Sequence, residues 1–352
     1  MDYNYPLLKK VFNHYKKHKK DVSDIYLVCC QHLLEPQSKM FELFVSFGFN
    51  PSKIIVLGKV YSTNNDILNE IRQIGIKVLQ PKFSSISFDD EHRRNCKKVL
   101  GLVPVDSKVI ILDDGAELIQ VFIGAKREVI FAVEQTSSGF RKLEKDFLPF
   151  PVVNVARSTT KLVQESPLVA RQCFELIGKY ILENKINKPS ILVVGLGPIG
   201  EAILEIFEQN QYIVSGFDIK HRHSDLVSVI LNNKPNVIIG ATGSSILQKE
   251  DITNLISNKL LYLISVSSSD REFPVVSFRK GGEIHEDIVY KNITFANNGF
   301  PITFKGNRNE LTPVEIEKTI CLLSGAVIDG IVNDIKKPGL INVSEKLEKM
   351  IN

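Results

Sequence analysis

Gly195, Gly197 and Gly200 stand in the run Gly195-Leu-Gly197-Pro-Ile199-Gly200, directly after the apolar residues 191–194 and at the start of a segment with helical periodicity. Glycines at this spacing, between a strand and a helix, build a turn that holds a dinucleotide. Gly195 permits the tight turn, Gly197 leaves no Cβ in the way of a pyrophosphate, and Gly200 lets helix and strand pack closely. The unpaired amides of the first helical turn, Ile199 among them, hold the phosphates. Pro198 suits that turn because it has no amide to lose there. The next strand ends at Asp218, eighteen residues beyond Gly200. An acid in that place accepts both ribose hydroxyls and repels a 2′-phosphate, so the expected cofactor is NAD. His221, Arg222 and His223 follow closely and keep NADP open as the alternative.

Other residues of chemical interest lie upstream. Asp113 and Asp114 follow the apolar residues 109–112. Carboxylates at the carboxyl end of a parallel strand sit where such sheets bind ligands, and an Asx turn with Gly115 is the structural alternative. His32 follows another apolar run, 25–30, where catalysis competes with a buried, hydrogen-bonded role. Lys161 begins a helical segment just before the glycine motif. His92, His221 and His223 lie in polar stretches and read as surface, and 267–269 is a serine run that reads as a flexible polar loop. No histidine or cysteine cluster has metal-ligand spacing, so no metal is expected.

These residues need an alternating scaffold, and the chain supplies one. Short apolar runs at 25–30, 53–57, 77–79, 108–112, 129–133 and 152–155 alternate with helix-period segments such as 36–47 and 65–74. That is the βαβ rhythm of a parallel sheet. Residues 161–183 read as one long helix, and the polar stretch 184–190 reads as a hinge. A second series follows: strand 191–195, helix 201–210, and strands 213–217, 237–240 and 261–266. A last helix spans 313–330 and fits either unit. At 352 residues and 43% hydrophobic content, two α/β domains are expected. The net charge of +4 is mixed along the chain and points to neither nucleic acid nor membrane. The basic run Lys16, Lys17, Lys19 and Lys20 reads as a solvated helix face. The five cysteines form no CxxC pair, and the N-terminal residues lack the apolar core of a signal peptide. Reduced thiols in the cytoplasm are therefore expected.

Several short motifs occur in a fixed order. Glu134-Gln-Thr-Ser-Ser-Gly139 comes before Asn154-Val-Ala-Arg-Ser-Thr-Thr-Lys161, which is followed by Glu165, Ser166, a long helix and the glycines. This order resembles the S-adenosylhomocysteine hydrolase family. The resemblance extends back to Asp113-Asp114-Gly115 and Cys30-Gln-His32. It extends forward through Ala241-Thr-Gly243, Gly299-Phe-Pro301 and 323–329 to 340–343. It implies a fold of two domains: a Rossmann-type, doubly wound parallel sheet for NAD over 161–299, and a split α/β substrate domain from 1–160 and 300–352. The family oxidises a nucleoside ribose 3′-hydroxyl with bound NAD, eliminates the 5′ thioether, adds water and reduces the ketone back.

The resemblance implies roles for single residues. Lys161 would help take the hydroxyl proton, with Glu165 in place of a partnering aspartate; four residues apart, the two share a helix face. Asp114 and His32 would act in proton transfer and departure of the 5′ group. Thr136, Ser137, Ser138, Thr242 and Asn298 would join the cofactor contacts, and Gln135 would contact substrate where the family has a glutamate. Other departures are Pro36 and Gln37 at substrate-holding positions, Ala156 near the reacting centre, Ser166 beside NAD, Ala170 near the nicotinamide, and 267–270 where the family has Gly-His. Phe300 replaces a histidine at the substrate entrance. The redox half is better kept than the recognition of adenosine and homocysteine. The expected partner is a small molecule, a nucleoside or sugar derivative, within a homo-oligomer. A simple NAD-dependent dehydrogenase of a sugar or hydroxy acid, or a non-catalytic NAD-binding homologue, is the alternative.

Overall fold

The structure, a computed structural model, describes residues 3–18, 20–218 and 226–352. Two sheets carry the architecture. In chain order the strands are β1 (Tyr26–Leu33), β2 (Ile54–Thr63), β3 (Lys77–Leu79), β4 (Lys108–Asp113), β5 (Glu128–Glu134), β6 (Pro151–Asn154), β7 (Ser190–Val194), β8 (Ile213–Phe217), β9 (Val237–Gly240), β10 (Leu261–Ser265), β11 (Ile288–Tyr290), β12 (Ile293–Phe295) and β13 (Gly339–Asn342). The first sheet has the order β13-β6-β5-β4-β1-β2-β3, and the second β11-β12-β10-β9-β7-β8. Among the described residues only the β11–β12 pairing is antiparallel.

Both sheets wind outward in two directions from a central strand. In the first, β1 leads to β2 and β3 on one side, and β4 opens the other; in the second, β7 leads to β8, and β9 lies on its opposite side. A doubly wound sheet opens a crevice at the carboxyl ends of the strands where this direction reverses. The reversal falls at β1/β4 in one sheet and at β7/β9 in the other.

The unbroken apolar runs follow from burial on both faces. Leu27 and Cys29 of β1 pack on one face with Met40, Phe44, Ile320 and Leu323. Val28 and Cys30 pack on the other face with Val99, Ile119 and Phe122. The second sheet is likewise covered on both sides, by Cys173, Ile177 and Phe207 on one and Leu247, Ile252 and Phe273 on the other.

The chain clusters into two compact units. One comprises 1–82, 91–165 and 306–352, and the other 83–90 and 166–305. The long helix Pro313–Val332 belongs to the first, where its Glu317 accepts the Leu7 and Leu8 amides at the start of the helix Pro6–Lys16. These bounds differ in detail from 160/161 and 299/300, and the excursion 83–90 left no mark in the hydrophobic pattern. Its anchors are tertiary. Arg279 is buried between the Phe83 and Phe300 rings, pairs with Asp270 at 2.7 Å and donates to the Ile86 carbonyl. Arg271 pairs with Asp89 at 2.7 Å.

Residues 161–183 are not one continuous α-helix. Thr160–Glu165 form a wide π-helical turn that leads into the α-helix Ser166–Glu183. The strand expected at 53–57 runs on to Thr63 and carries Lys59 and Ser62 to the same end as His32. Lys16, Lys17 and Lys20 are exposed, and Lys19 lies outside the described residues.

Candidate functional site

The glycine turn of the second unit has the geometry a dinucleotide needs. Gly195 has φ +97°, and a Cβ there would lie 2.7 Å from the Thr242 methyl. A Cβ on Gly200 would lie 1.8 Å from the Gly195 carbonyl oxygen, so only glycine lets the helix Pro198–Gln209 start so close to β7. Around Gly197 the space is open: a Cβ there meets nothing within 4 Å. Gly197 caps the helix without a side chain, which leaves the first-turn amides, Ile199 included, without a side-chain cap. Asp218 follows β8 and accepts the Leu196 amide at 2.8 Å, which ties it to the glycine turn. His221, Arg222 and His223 lie outside the described residues.

Beside this turn, across the β7/β9 reversal, residues 241–243 are organised by a carboxylate that sequence reading missed. Glu272 is fully buried. Its Oε1 accepts the Thr242 amide at 2.5 Å and the Gly243 amide at 3.0 Å, and its Oε2 accepts the Ser265 hydroxyl at 2.9 Å. Burial raises its pKa, and the Ser265 hydroxyl and the two amides oppose the shift. No periodicity marks Glu272, because it sits in an irregular segment and its partners are hydroxyls and backbone amides distant in sequence.

Two expectations in this unit are corrected. The 267–270 segment is not a solvated loop: Ser269 and Asp270 are buried, the former at φ +66° and the latter ion-paired to Arg279. Phe300 is buried rather than at an entrance, with its ring edge-on to Phe83 and Phe88. Asn298, expected among the cofactor contacts, is buried; its side chain accepts from Arg279 Nε at 2.6 Å and donates to the Glu283 carbonyl.

In the first unit the β1/β4 reversal gathers Asp114, His32 and Gln135. Asp114 Oδ1 accepts from Lys59, and its Oδ2 accepts from Gln135 Nε2 and lies 3.1 Å from His32 Nε2. His32 Nδ1 lies 2.5 Å from the Ser62 hydroxyl, and Gln135 Oε1 accepts from Gln31. Burial alone would raise the Asp114 pKa, but the Lys59 ammonium and His32 hold it well below the carboxylate range. Asp114 is thus a fixed anion, and both His32 nitrogens face protein groups. Lys59 was not foreseen, because a lysine inside an apolar strand reads as a strand end until its partner is seen.

Behind this cluster, Asp113 accepts the Asp114 and Ile119 amides, and Glu134 accepts those of Gly115, Ala116 and Thr136. Burial and then the Glu117 charge push Asp113 up to about 7, against the pull of the two amides and Lys59. Burial and Asp113 likewise raise Glu134, against the Thr136 hydroxyl. Thr136 caps the helix Ser137–Leu143, accepting the Gly139 amide at 2.9 Å; Ser138 lies 3.3 Å from its hydroxyl and Ser137 is exposed. His92, expected at the surface, is buried with Nε2 3.4 Å from Cys30 Sγ.

Lys161 and Glu165 meet as expected, in an ion pair on the π-helical turn, and Glu165 also accepts from the Thr319 hydroxyl at 2.5 Å. Wide turns of this kind often mark functional sites. Buried acceptors with no donor among the described residues are Gln31 Oε1 on β1 and Asn154 Oδ1 on β6, with Gln37 Oε1 on the helix Glu35–Phe47. Among the described residues no group of three His, Cys, Asp or Glu side chains is placed to hold a metal, and no helix is long and apolar enough to cross a membrane.

No family model matches the chain. It is similar to two uncharacterized proteins from two strains of Mycobacterium tuberculosis, 29% identical over 362 residues that cover 95% of this chain and 71% of each relative. Among solved structures it is similar to an NAD+-bound 3-phosphoglycerate dehydrogenase from Entamoeba histolytica, at 10% identity, TM-score 0.41, and coverage of 88% of this chain and 94% of that one. A 2-hydroxyacid dehydrogenase from Ketogulonicigenium vulgare gives 12% identity, TM-score 0.40, and coverage of 82% and 98%.

Proposed function

We propose that the chain is an NAD-dependent dehydrogenase that oxidises a hydroxyl of a neutral, sugar-like substrate. The observation that carries the cofactor reading is the open space at Gly197, beside a helix start whose amides have no side-chain cap. Gly195, Gly197 and Gly200 would hold the pyrophosphate, and Asp218, fixed by the Leu196 amide, would accept the ribose hydroxyls. NAD, when bound, supplies the hydride acceptor. The Lys161–Glu165 pair is the proposed destination of the hydroxyl proton: the Lys161 ammonium would pass a proton to the Glu165 carboxylate and take the hydroxyl proton in its place, so that the pair gains one proton.

The charge at the first unit's strand ends favours a neutral substrate over a hydroxy acid. Lys59, Lys142 and Lys161 are matched by Asp114, Glu117 and Glu165, with Asp113 and Glu134 in addition. A substrate carboxylate would have to displace one of these partners. The orphan acceptors Gln31 Oε1 and Asn154 Oδ1 suit hydroxyl donors, since a buried acceptor left unmade is costly. The adenosylhomocysteinase-like reading is supported in its redox half alone. Elimination would ask Asp114 and His32 to exchange protons, yet both are committed to Lys59, Gln135 and Ser62.

The test is cofactor reduction by the purified protein with NAD+ and a panel of nucleosides, neutral polyols and 2-hydroxy acids. Reduction by a neutral member is expected, with Lys161→Ala losing at least about 10²-fold in rate while NAD+ still binds. Reduction by hydroxy acids alone, or a fully active Lys161→Ala protein, overturns the reading.

A further inference from the structure

We propose that the Glu272 carboxylate makes the dinucleotide site select the oxidised cofactor, binding NAD+ more tightly than NADH. The inference rests on the NAD reading above and adds the redox preference of that site. The glycine turn follows β7, the ribose-binding acid follows β8, and residues 241–243 follow β9 on the far side of the reversal. A dinucleotide laid across such a reversal, with its adenosine ribose on the β8 side, directs its nicotinamide half to the β9 side. Residues 241–243 abut the glycine turn directly, since the Thr242 methyl fills the space beside Gly195.

Glu272 lies under this segment. The amides of Thr242 and Gly243 can only donate, and together with the Thr242 hydroxyl they converge on Oε1, which favours the ionised carboxylate against the cost of its burial. Its partners in the structure are amides and hydroxyls rather than a cation. The cations nearby are already neutralised. Arg271, which donates to the Gly243 carbonyl at 3.3 Å, pairs with Asp89, and Arg279 pairs with Asp270. Among the described residues, one buried carboxylate is therefore left beside β9 without a cationic partner. The nicotinamide ring is cationic in NAD+ and neutral in NADH, so a fixed anion in a low-dielectric setting stabilises the oxidised form selectively. The close fit limits what else could stand there: a Cβ on Gly240 would lie 2.5 Å from Glu272 Oε2.

The experiment is direct titration of cofactor-stripped protein with NAD+ and, separately, NADH. Wild type is expected to bind NAD+ about tenfold more tightly, the order of effect of one unit charge in a partly buried site. A tenfold preference corresponds to about 30 mV in the potential of the bound couple. Glu272→Gln keeps an oxygen for the two amides and removes only the charge. It should bring the two affinities to within about threefold, chiefly by weakening NAD+. Ser265→Ala removes a hydrogen bond but not the charge and should keep the preference. Wild type that binds NADH as tightly as NAD+ overturns the inference without any variant, and so does a Glu272→Gln protein with an unchanged preference. Failure of wild type to bind either dinucleotide overturns the NAD reading instead.

Discussion

Gly197 and Gly200 look alike in sequence, and their surroundings separate them. At Gly200 a methyl group would collide with the Gly195 carbonyl, whereas at Gly197 it would enter open space. Gly200→Ala is expected to destabilise the fold by about 1–3 kcal/mol through overpacking, and to lose cofactor binding with it. Gly197→Ala should fold to within about 1 kcal/mol of wild type, the cost of alanine at a helix cap. It should nevertheless lose dinucleotide affinity by about 10²-fold or more if the space there belongs to the pyrophosphate. Denaturant unfolding and NAD+ titration of both variants check this. Normal NAD+ binding by Gly197→Ala would show that the open space has another use.

At the scale of elements, the decisive feature is where β2 ends. Its extension to Thr63 brings Lys59 to Asp114, so two strands that flank β1 are joined by a buried ion pair. Breaking such a pair by removing one partner costs about 3–5 kcal/mol, because a charge is left buried alone. Lys59→Met should lose stability on that scale, and Lys59→Met with Asp114→Asn should regain most of it, since no charge is then stranded. Urea unfolding of the two variants measures the difference. A double variant no more stable than the single one would mean that Lys59 matters through its packing. The π-helical turn belongs to this scale as well. A continuous α-helix through 161–183 satisfies the apolar pattern equally well; in the structure the widened turn Thr160–Glu165 packs against Pro313–Val332 and reaches Glu348.

For the molecule as a whole, the two central carboxylates act in separate pH windows. Asp113 is pushed up to about 7 in the folded chain, above its value when unfolded. Between about pH 4 and 7 the folded state then holds more protons at this group, so its contribution to stability falls as pH rises, by up to about 1.4 kcal/mol per unit. Asp114 is held low, so its contribution is present above about pH 4 and lost as pH falls below that. The stability difference between Asp113→Asn and wild type should therefore move in favour of the variant from pH 4 to 7 and level off beyond. Denaturant midpoints across this range read it out, and a pH-independent difference would show that Asp113 ionises as an ordinary carboxylate.

What the sequence determined by itself were features written locally. The glycine spacing, the strand ending at Asp218 and the four-residue step from Lys161 to Glu165 each depend on neighbours along the chain, and so does the alternation that builds two parallel sheets. The tertiary structure decided what depends on residues far apart. Lys59 reaches Asp114 only because β1 lies between β2 and β4, and Glu272 reaches the 241–243 amides only because β10 lies beside β9. The same distance effect draws 83–90 onto Arg279 and places His92 beside Cys30. A buried charge or an orphaned acceptor has no periodicity of its own, since its energy is set by the partner it meets and by the exclusion of water around both.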